Sequence, residues 1–483
     1  MTKYKAIIGL EMHCEITTTK SKVFSCAKNS YEIDPNVNIA ALDMGFPGTL
    51  PRVNKEAVRK ALMVSMILGC KQPEYLYFER KNYYYPDLPK GYQLTQETKP
   101  APVGIYGKLK YFVNGEEKEA LINNLHLEED SASMEHFSDV SLIDYNRSGV
   151  PLLELVTEPC FHNADEVVAF LETMRSIYRY ANVSEADSKK GHIRCDVNIS
   201  IMDDSLEEKE ENFGTKVEVK NVNSFSSVKD TINYEIKRQT ELKEEGTYDE
   251  MPQQTRRWDE NNLETQFMRS KVDAIDYKYF IEPNIPKFKI TDKFLEDIRK
   301  VIPVLADERK EKYTKDYGLT MDEAKNLTKE KNISDYYDEL VSFDIKPKDA
   351  SNYVNTIILG SCNKLGVDIK DLFITPKILS DLIKLMYDGK LSKNQAKNAL
   401  YKAVDTNKSP LDIVKEEGLE QIDNDEEIIK MIDDILANNP KMIEDYKNGR
   451  TNVINFFLGQ VMKETKGKVN PAKAMEILRS KLD

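Results

Sequence analysis

Apolar and polar residues alternate along a short stretch near the N-terminus. In the run IIGLEMHCEI (residues 7–16), the even positions are apolar, whereas Glu11, His13 and Glu15 share the opposite face of the predicted strand. Three side chains that can bind a metal ion therefore point in one direction. A solvated strand face is the alternative, although such faces favour Thr, Lys and Arg over Glu and His. Cys14 falls on the apolar face, where we expect an inert core thiol.

The same alternation returns in two later segments. Residues 192–201 alternate between apolar and polar positions, and so do residues 215–221, which follow an acidic loop. We expect the two segments to pair as a hairpin. Between the strands, Asn163 can cap a helix whose third position is Glu166 and whose apolar residues recur with helical spacing. The first part of the chain is therefore predicted to be α+β.

The pattern changes to helical spacing beyond about residue 290. Thr375 and Pro376 open a segment in which apolar residues share one helical face, and Gly389 suits the end of that helix. Similar segments continue to the C-terminus. The second part is therefore predicted to be all-α.

These patterns divide the chain into three predicted parts. Residues 1–290 form the mixed α/β domain, 291–330 form a helical linker, and 331–483 form an all-α region whose last part, about 407–483, is a tail. A length of 483 residues supports this division, because one hydrophobic core rarely serves so long a chain.

Composition narrows the class of protein. An apolar fraction of 40% and a charged fraction of 31% are typical of a globular protein, and neither a signal peptide nor an apolar run of membrane-spanning length is present. We therefore expect a cytoplasmic protein. Its six cysteines contain no C-x-x-C pair, which argues against a disulfide framework and a structural zinc site.

Charge is distributed unevenly. The whole chain carries a net charge of −13, yet residues 446–475 carry +5, with Lys463, Lys466 and Lys468 close together. Such a local patch is typical of contact with nucleic-acid phosphates.

Three further carboxylates lie in apolar surroundings: Glu154 in VPLLELV, and Glu128 and Glu129 in LHLEED. An isolated charge is costly to bury, so such a carboxylate must be paired, protonated or bound to a metal ion. Carboxylates with one imidazole suit Mg²⁺ or Mn²⁺. Alternation puts Glu128 and Glu129 on opposite faces and does not decide which one enters a site, and a surface turn is the alternative for the EED sequence.

Basic side chains that can hold a phosphate come from separate segments: Arg80, Lys81, Arg147, Arg194, Lys216 and Lys220. Singly, each is more often a surface charge. Together with clustered carboxylates they match phosphoryl transfer, which needs a divalent metal and cations around the transferred group. The chain has no G-x-x-x-x-G-K-[ST] loop, so any ATP is held in another way. Tyr83 to Tyr85 can stack a base or pack in the core.

A series of motifs in the first 290 residues resembles a known family. These motifs include IGLEMHCEI, ALDMGFPGTLPRVN, ERKNYYYPDLPKGYQLTQ, LHLEEDSA, DYNRSGVPLLELVTEP, RCDVNISI and GTKVEVKNVNSF. In this order they resemble the B subunit (GatB type) of the tRNA-dependent aspartyl/glutamyl amidotransferase. The C-terminal region resembles the family's GatB/YqeY region more loosely, most clearly in QVMKETKGKVNPA.

The resemblance implies an enzyme. Such subunits use ATP and Mg²⁺ to phosphorylate the side-chain carboxylate of Glu-tRNA(Gln) or Asp-tRNA(Asn), and ammonia then displaces the phosphate. The ammonia comes from a separate GatA-type amidase subunit, with glutamine as the amido donor, and a small GatC-type subunit completes the complex. The basic C-terminal tail is expected to contact the tRNA.

The resemblance also assigns residues. The magnesium positions are Glu11, His13, Glu129 and Glu154, and the remaining catalytic positions, around the site and the ammonia route, are Lys81, Arg194 and Asp196. Arg80, Arg147, Lys216 and Lys220 stay the candidates for the nucleotide, and Glu15 is expected to play a supporting role. Glu129 is chosen on the resemblance, with a β-bulge near Glu128 as its structural requirement.

Some positions depart from the family. His192 stands where relatives usually carry Ser, and YFIEPN replaces the usual YFPEPD. These changes are compatible with altered substrate preference or with a diverged duplicate. Two other functions stay open on the sequence: a non-catalytic tRNA-binding scaffold, and an ATP-dependent amide ligase that needs no tRNA.

Overall fold

The computed structural model describes residues 3–32, 34–98, 101–222, 224–270, 276–419, 425–465 and 469–482. The chain divides into two compact units, Met1–Leu305 and Ala306–Asp483. Each unit is described below by itself.

The first unit is built on β-strands. Its described residues form β1 (Tyr4–Glu15), β2 (Tyr75–Leu76), β3 (Glu79–Asn82), β4 (Tyr92–Thr95), β5 (Gly104–Val113), β6 (Glu116–Glu129), β7 (Ser133–His136), β8 (Ser141–Asp144), β9 (Pro151–Thr157), β10 (Ile193–Asp203), β11 (Val217–Val222), β12 (Gln254–Asp259), β13 (Glu264–Ser270), β14 (Phe280–Ile281) and β15 (Phe288–Lys289). Its α-helices are α1 (Lys55–Ile67), α2 (Ala164–Tyr180), α3 (Phe225–Glu244) and α4 (Asp292–Arg299).

One large sheet organises this unit. Eight of the described strands pair in the order β13-β12-β11-β10-β1-β9-β6-β5, and every pair is antiparallel except β11–β12. The β10–β11 pair confirms the hairpin predicted from alternation. A smaller sheet, β14-β3-β4, and the pairs β15-β2 and β7-β8 complete the strands.

The apolar face of β1 lies in the core. Ile8, Met12 and Cys14 are fully buried and share one hydrophobic cluster with residues of α1, α2 and α3. Burial raises the pKa of the Cys14 thiol to about 12, in keeping with the inert role predicted for it. The α+β prediction is confirmed for this unit.

Helix α2 begins as its sequence predicts. The backbone N–H of Glu166 donates to the side chain of Asn163 at 3.0 Å, so that Asn163 caps the first turn. The predicted apolar stripe, which includes Phe170, Leu171 and Met174, is fully buried.

The described residues of the second unit are helical. They form α5 (Ala306–Lys315), α6 (Met321–Leu327), α7 (Lys331–Ser342), α8 (Pro347–Tyr353), a π-helical turn (Val354–Ile358), α9 (Leu359–Leu365), α10 (Pro376–Tyr387), α11 (Lys393–Thr406), α12 (Pro410–Glu416), α13 (Asp425–Ala437), α14 (Pro440–Lys447), α15 (Val453–Glu464) and α16 (Pro471–Leu482). This confirms the predicted all-α region. Helix α10 has Thr375 as its cap and Pro376 as its first residue, and Gly389 follows its end with φ +73°.

Two hydrophobic clusters stabilise this unit. One joins residues between Tyr313 and Val414, and the other joins residues of α13, α15 and α16. The segment 291–330, predicted as a linker, contains α4, α5 and α6, and the division between the units falls between α4 and α5. None of the helices described combines the length and apolar character that crossing a membrane requires.

Candidate active site

The register of the central strands brings ionisable side chains to one face of the large sheet. His13 on β1 lies opposite Glu154 on β9, which in turn lies opposite His126 on β6. Glu11 on β1 lies opposite Asp196 on β10. Residues that are directly opposite in a sheet share a face. Glu154, His126 and Asp196 therefore lie on the same sheet face as Glu11 and His13.

The carboxylate of Glu154 lies between two imidazoles. Its Oε2 atom is 3.3 Å from Nε2 of His13 and 3.2 Å from Nε2 of His126. Burial would raise the pKa of Glu154, but His126 and His13 hold it well below its usual value. Burial would likewise lower the pKa of His126, yet the charges of Glu154 and Glu128 raise it to about 10.

Glu128 is the carboxylate of β6 that joins this group. One donor atom from each of His13, Glu128 and Glu154 lies within 4.8 Å of the others. The alternative of a surface turn is wrong, because Glu128 and Glu129 are only 3% and 2% exposed.

Glu129 faces the other side of the sheet. It pairs with Lys90 and accepts a hydrogen bond from the backbone N–H of Leu94 at 2.9 Å. The irregularity of β6 lies between Ile122 and Asn124, so alternation is regular at Glu129. Glu128, and not Glu129, therefore borders the cavity described below together with His13 and Glu154, and Glu128 is the candidate ligand on β6.

A second group of carboxylates lies beside the first. Donor atoms of Glu11, Asp196 and Glu218 lie within 4.8 Å of one another. Nζ of Lys220 is 2.8 Å from Asp196 and 3.0 Å from Glu218. Burial would lower the pKa of Lys220, but the two carboxylates raise it. Asn198 donates its side-chain amide to Glu11 at 3.0 Å.

Two arginines surround a buried acid at the edge of this face. Arg194 pairs with Asp130, and Nε of Arg147 is 3.7 Å from the same carboxylate. Burial, aided by the charge of Asp130, raises the pKa of Glu15 to about 8. The ion pair with Asp130 fixes the guanidinium group of Arg194.

The two basic residues of β3 have different surroundings. Nζ of Lys81 lies 2.9 Å from Glu97 and borders the cavity described below. Arg80 pairs with Glu282 and places its guanidinium 4.0 Å from the ring centroid of Tyr92. Arg80 is not among the residues that line this cavity, so the geometry gives no support to its predicted contact with the nucleotide.

Two cavities meet at the carboxylate groups. The first, of about 300 Å³, is bordered by His13, Lys81, Glu128, Glu154, Arg194, Asp196 and Lys220. The second, of about 680 Å³, is bordered by Gly9, Glu11, Asn198, Phe213, Gly214 and Lys216. Because Glu11 borders one cavity and Asp196 the other, their group lies between them. Arg147 borders a third cavity, of about 490 Å³, together with Glu15 and His192.

Four residues of this arrangement were not predicted: His126, Asp130, Asn198 and Glu218. Alternation carried a signal for three of them. His126 precedes Glu128 by two positions on β6, Asn198 follows Asp196 by two positions on β10, and Glu218 lies between Lys216 and Lys220 on one strand face. Asp130 follows the end of β6, where alternation no longer indicates the side of the sheet to which a side chain points.

The residues of the first cavity fit a divalent cation. Glu128 and Glu154 supply oxygen and His13 supplies nitrogen, a set that suits Mg²⁺ or Mn²⁺ with water completing the coordination. Nε2 of His126 is buried and makes no hydrogen bond among the described residues, although Glu154 lies close enough for ion pairing. His126 thus lies beside Glu154, on the side away from His13, where it is placed to orient a Glu154 carboxylate that held a cation.

Sequence comparison identifies the class of protein that this fold and site define. The model of the GatB/GatE catalytic domain matches residues 6–296, and the GatB domain model matches residues 335–482. The chain belongs to the GatB family.

Several relatives match along the whole chain. A protein of Brevibacillus brevis is 40% identical over 485 residues, covering 100% of both chains. A protein of Thermotoga maritima is 39% identical over 489 residues, covering 100% of this chain and 99% of its own. A third, from Elusimicrobium minutum, is 41% identical over 478 residues and 99% of each chain. All three carry the name of the B subunit of the aspartyl/glutamyl-tRNA(Asn/Gln) amidotransferase.

Proposed function

We propose that this chain is the B subunit of a tRNA-dependent amidotransferase, which activates the side-chain carboxylate of Glu-tRNA(Gln) or Asp-tRNA(Asn) with ATP. Family membership supports the subunit function. The observation that carries the chemistry is the group of His13, Glu128 and Glu154, which adjoins a second carboxylate group between two cavities.

The residues around the two cavities would bind different reactants, the substrate carboxylate in one cavity and the nucleotide in the other. The first cavity accepts the side-chain carboxylate, where Lys81 and Arg194 offer positive charge. The second cavity has a volume within the usual range of ligand sites, and Lys216 and the ring of Phe213 border it. We assign this cavity to ATP, with its terminal phosphate toward the boundary of the two cavities, where Lys220 lies.

His13, Glu128 and Glu154 would hold Mg²⁺ or Mn²⁺, with Glu11 nearby, and the cation would neutralise the charge of the transferred phosphoryl group. The residues of the chain provide the remaining electrostatics. Lys220, fixed by Asp196 and Glu218, keeps an ammonium group at the boundary of the two cavities. Lys81 supplies a second ammonium group on the substrate side.

The chemistry has two steps. An oxygen of the substrate carboxylate attacks the terminal phosphorus of ATP, and the bond from that phosphorus to the bridging oxygen breaks, releasing ADP. Ammonia then attacks the carbonyl carbon of the acyl phosphate, and phosphate leaves with one of the ammonia protons. The product is the side-chain amide. Positioned cations stabilise the charge that develops in each step.

The nitrogen comes from a partner. We assign its production to a GatA-type amidase subunit that uses glutamine as amido donor, with a small GatC-type subunit in the same complex. The substrate is an aminoacyl-tRNA, so we place the reaction in the cytoplasm. The predicted parts keep their roles, with residues 1–290 catalytic and residues 407–483 in contact with tRNA.

ATP turnover by the assembled complex tests this proposal. Addition of Glu-tRNA(Gln) or Asp-tRNA(Asn) should stimulate ATP hydrolysis, and amidation of both tRNAs in parallel should identify the substrate. Glu154→Gln should abolish the stimulated turnover. Retained amide formation in that variant would favour the scaffold, and ATP-dependent amidation of free glutamate would favour a tRNA-independent ligase.

A further inference from the structure

A row of tyrosine rings begins at the wall of the first cavity. The hydroxyl of Tyr83 donates to Oε1 of Gln93 at 3.4 Å, and Gln93 borders the cavity. The ring centroid of Tyr277 is 5.9 Å from that of Tyr83, with an interplanar angle of 74°. Nζ of Lys81, another residue of the cavity wall, is 5.0 Å from the Tyr277 centroid. Tyr277 therefore packs beside the wall of the cavity.

Tyr279 extends this row, and two exposed tyrosines follow Tyr83 in the chain. Tyr279 packs its ring edgewise against Tyr277 at 5.9 Å and donates its hydroxyl to Glu97. Tyr84 and Tyr85 follow Tyr83 directly in the chain, and they are 95% and 53% exposed. An aromatic ring as exposed as that of Tyr84 gains almost nothing from burial in this unit, so its place in the fold is not explained by core packing.

The chemistry of the substrate determines which part of the tRNA must remain outside this cavity. The aminoacyl group is an ester of the terminal ribose of the tRNA. When its side-chain carboxylate lies beside Glu154, the terminal nucleoside has to remain at the cavity entrance. The tRNA 3′ end is single-stranded there, and unpaired bases bind proteins mainly by stacking on aromatic rings.

We propose that Tyr84 and Tyr85, with Tyr277 beside the cavity wall, form a stacking platform for the unpaired bases at the 3′ end of the aminoacylated tRNA. The proposal rests on the placement of the reacting carboxylate in the first cavity. Tyr84 is 95% exposed, so its ring is accessible to a base. Nζ of Lys278, on the same segment as Tyr277, is 3.4 Å from Asp276, and its side chain is 79% exposed, so a backbone phosphate would have to compete with that carboxylate for its charge.

The test uses the complete complex with its partner subunits and a tRNA whose terminal adenosine is replaced by 2-aminopurine. Stacking quenches the fluorescence of this base. The wild-type complex should quench it, whereas Tyr84→Ala combined with Tyr85→Ala, and Tyr277→Ala alone, should reduce the quenching. We expect the KM for aminoacyl-tRNA to rise about tenfold in each case, with kcat nearly unchanged.

Matched variants separate ring stacking from other effects. Phe at positions 84, 85 and 277 keeps the ring and should keep the quenching. Tyr401→Ala removes a tyrosine that is 50% exposed in the second unit and should leave both quenching and KM unchanged. If the three Phe substitutions lose the quenching as the Ala substitutions do, stacking is not the function of these rings.

Two other results would overturn the inference. Full quenching in the Ala variants would show that the bases lie elsewhere, and failure of those variants to assemble with the amidase subunit would identify the surface as a subunit interface. Glu154→Gln separates this inference from the proposed function. That variant should quench normally without ATP turnover, whereas turnover in it would contradict the catalytic proposal and leave the stacking result intact.

Discussion

At the scale of single residues, the neighbours Glu128 and Glu129 have opposite roles. Glu128 lies with His13 and Glu154, and Glu129 forms a buried pair with Lys90 on the other side of the sheet. Burial raises the pKa of Glu129 although Lys90 favours its charged form. Equivalent substitutions at the two positions should therefore have different consequences.

We expect Glu128→Gln to weaken Mn²⁺ binding by more than the roughly 10- to 100-fold that loss of an outer-shell partner costs, with little loss of stability. Glu129→Gln should cost about 3–5 kcal/mol of stability, because it leaves the ammonium of Lys90 buried without a carboxylate. Titration with Mn²⁺ and thermal unfolding of both variants check this. Loss of Mn²⁺ binding in a stably folded Glu129→Gln protein would restore the assignment based on resemblance.

These residues also show what the sequence could predict. Regular alternation predicts Glu11 and His13 on one face, and it separates Glu128 from Glu129 without deciding which of them enters the site. The resemblance assigns Glu129, which requires a β-bulge near Glu128, whereas the irregularity of β6 lies earlier, between Ile122 and Asn124. The register of β6 against β9, which the sequence does not give, is what places Glu128 on the face of Glu154.

Long side chains were predicted less well, because their partners are distant in sequence. Arg80 is a predicted phosphate ligand, yet its carboxylate partner Glu282 directly follows β14, more than 200 residues away in the chain. Lys220 kept its place beside the site because both of its partners, Asp196 and Glu218, lie on the paired strands β10 and β11. Pairing of strands could be read from alternation, but pairing of charges could not.

At the scale of secondary-structure elements, the cap of α2 can be tested alone. Asn163→Ala removes the side-chain oxygen that accepts from the N–H of Glu166, so we expect a loss of about 1 kcal/mol. Asn163→Ser keeps an acceptor and should recover most of it. Denaturant unfolding of the three proteins measures the difference, and equal stability of the Ala and Ser variants would mean that the cap contributes little.

Helix α3 is joined to the edge of the large sheet through a buried carboxylate. Glu235 is fully buried, lies 2.7 Å from Arg238 of its own helix, and accepts a hydrogen bond from Thr265 of β13. Burial would raise its pKa, but Arg238, Gln239 and Thr265 lower it. A lowered pKa in the folded state contributes stability above the unfolded pKa of about 4.3, and this contribution is lost as the pH falls through the folded value.

Acid unfolding should therefore depend on Glu235. We expect the first unit of the wild-type protein to lose stability as the pH falls below about 5, and Glu235→Gln to be less stable at pH 7 with a weaker dependence on acid. Glu241→Gln, on an exposed position of the same helix, should behave as wild type within about 0.5 kcal/mol. Hydrogen exchange of α3 and β13 between pH 3 and pH 7 measures this, and identical acid profiles for all three proteins would contradict it.

At the scale of the whole molecule, the tail contains a basic stretch, whereas the chain as a whole is acidic. The protein carries −13 overall, so a polyanion such as tRNA is repelled unless local positive charge attracts it. Residues 446–475 carry +5. In this stretch Lys447, Arg450 and Lys463 are exposed on or beside α14 and α15, whereas Lys466 and Lys468 lie outside the described residues. We therefore predict that the basic surface of the tail, and not one particular lysine, binds the tRNA phosphates.

Changing Lys463, Lys466 and Lys468 together to Gln should weaken tRNA binding at low salt and reduce the slope of log K against log salt by roughly 0.9 for each phosphate that the tail no longer neutralises. The matched control changes Lys364, Lys377 and Lys402, exposed lysines outside the tail that each pair with a carboxylate of the same unit. Both triple variants lose the same formal charge, so a general electrostatic effect would weaken them equally. A reduced slope in the tail variant alone would identify the tail as the surface that binds tRNA, and equal slopes in all three proteins would remove the tail from the interface.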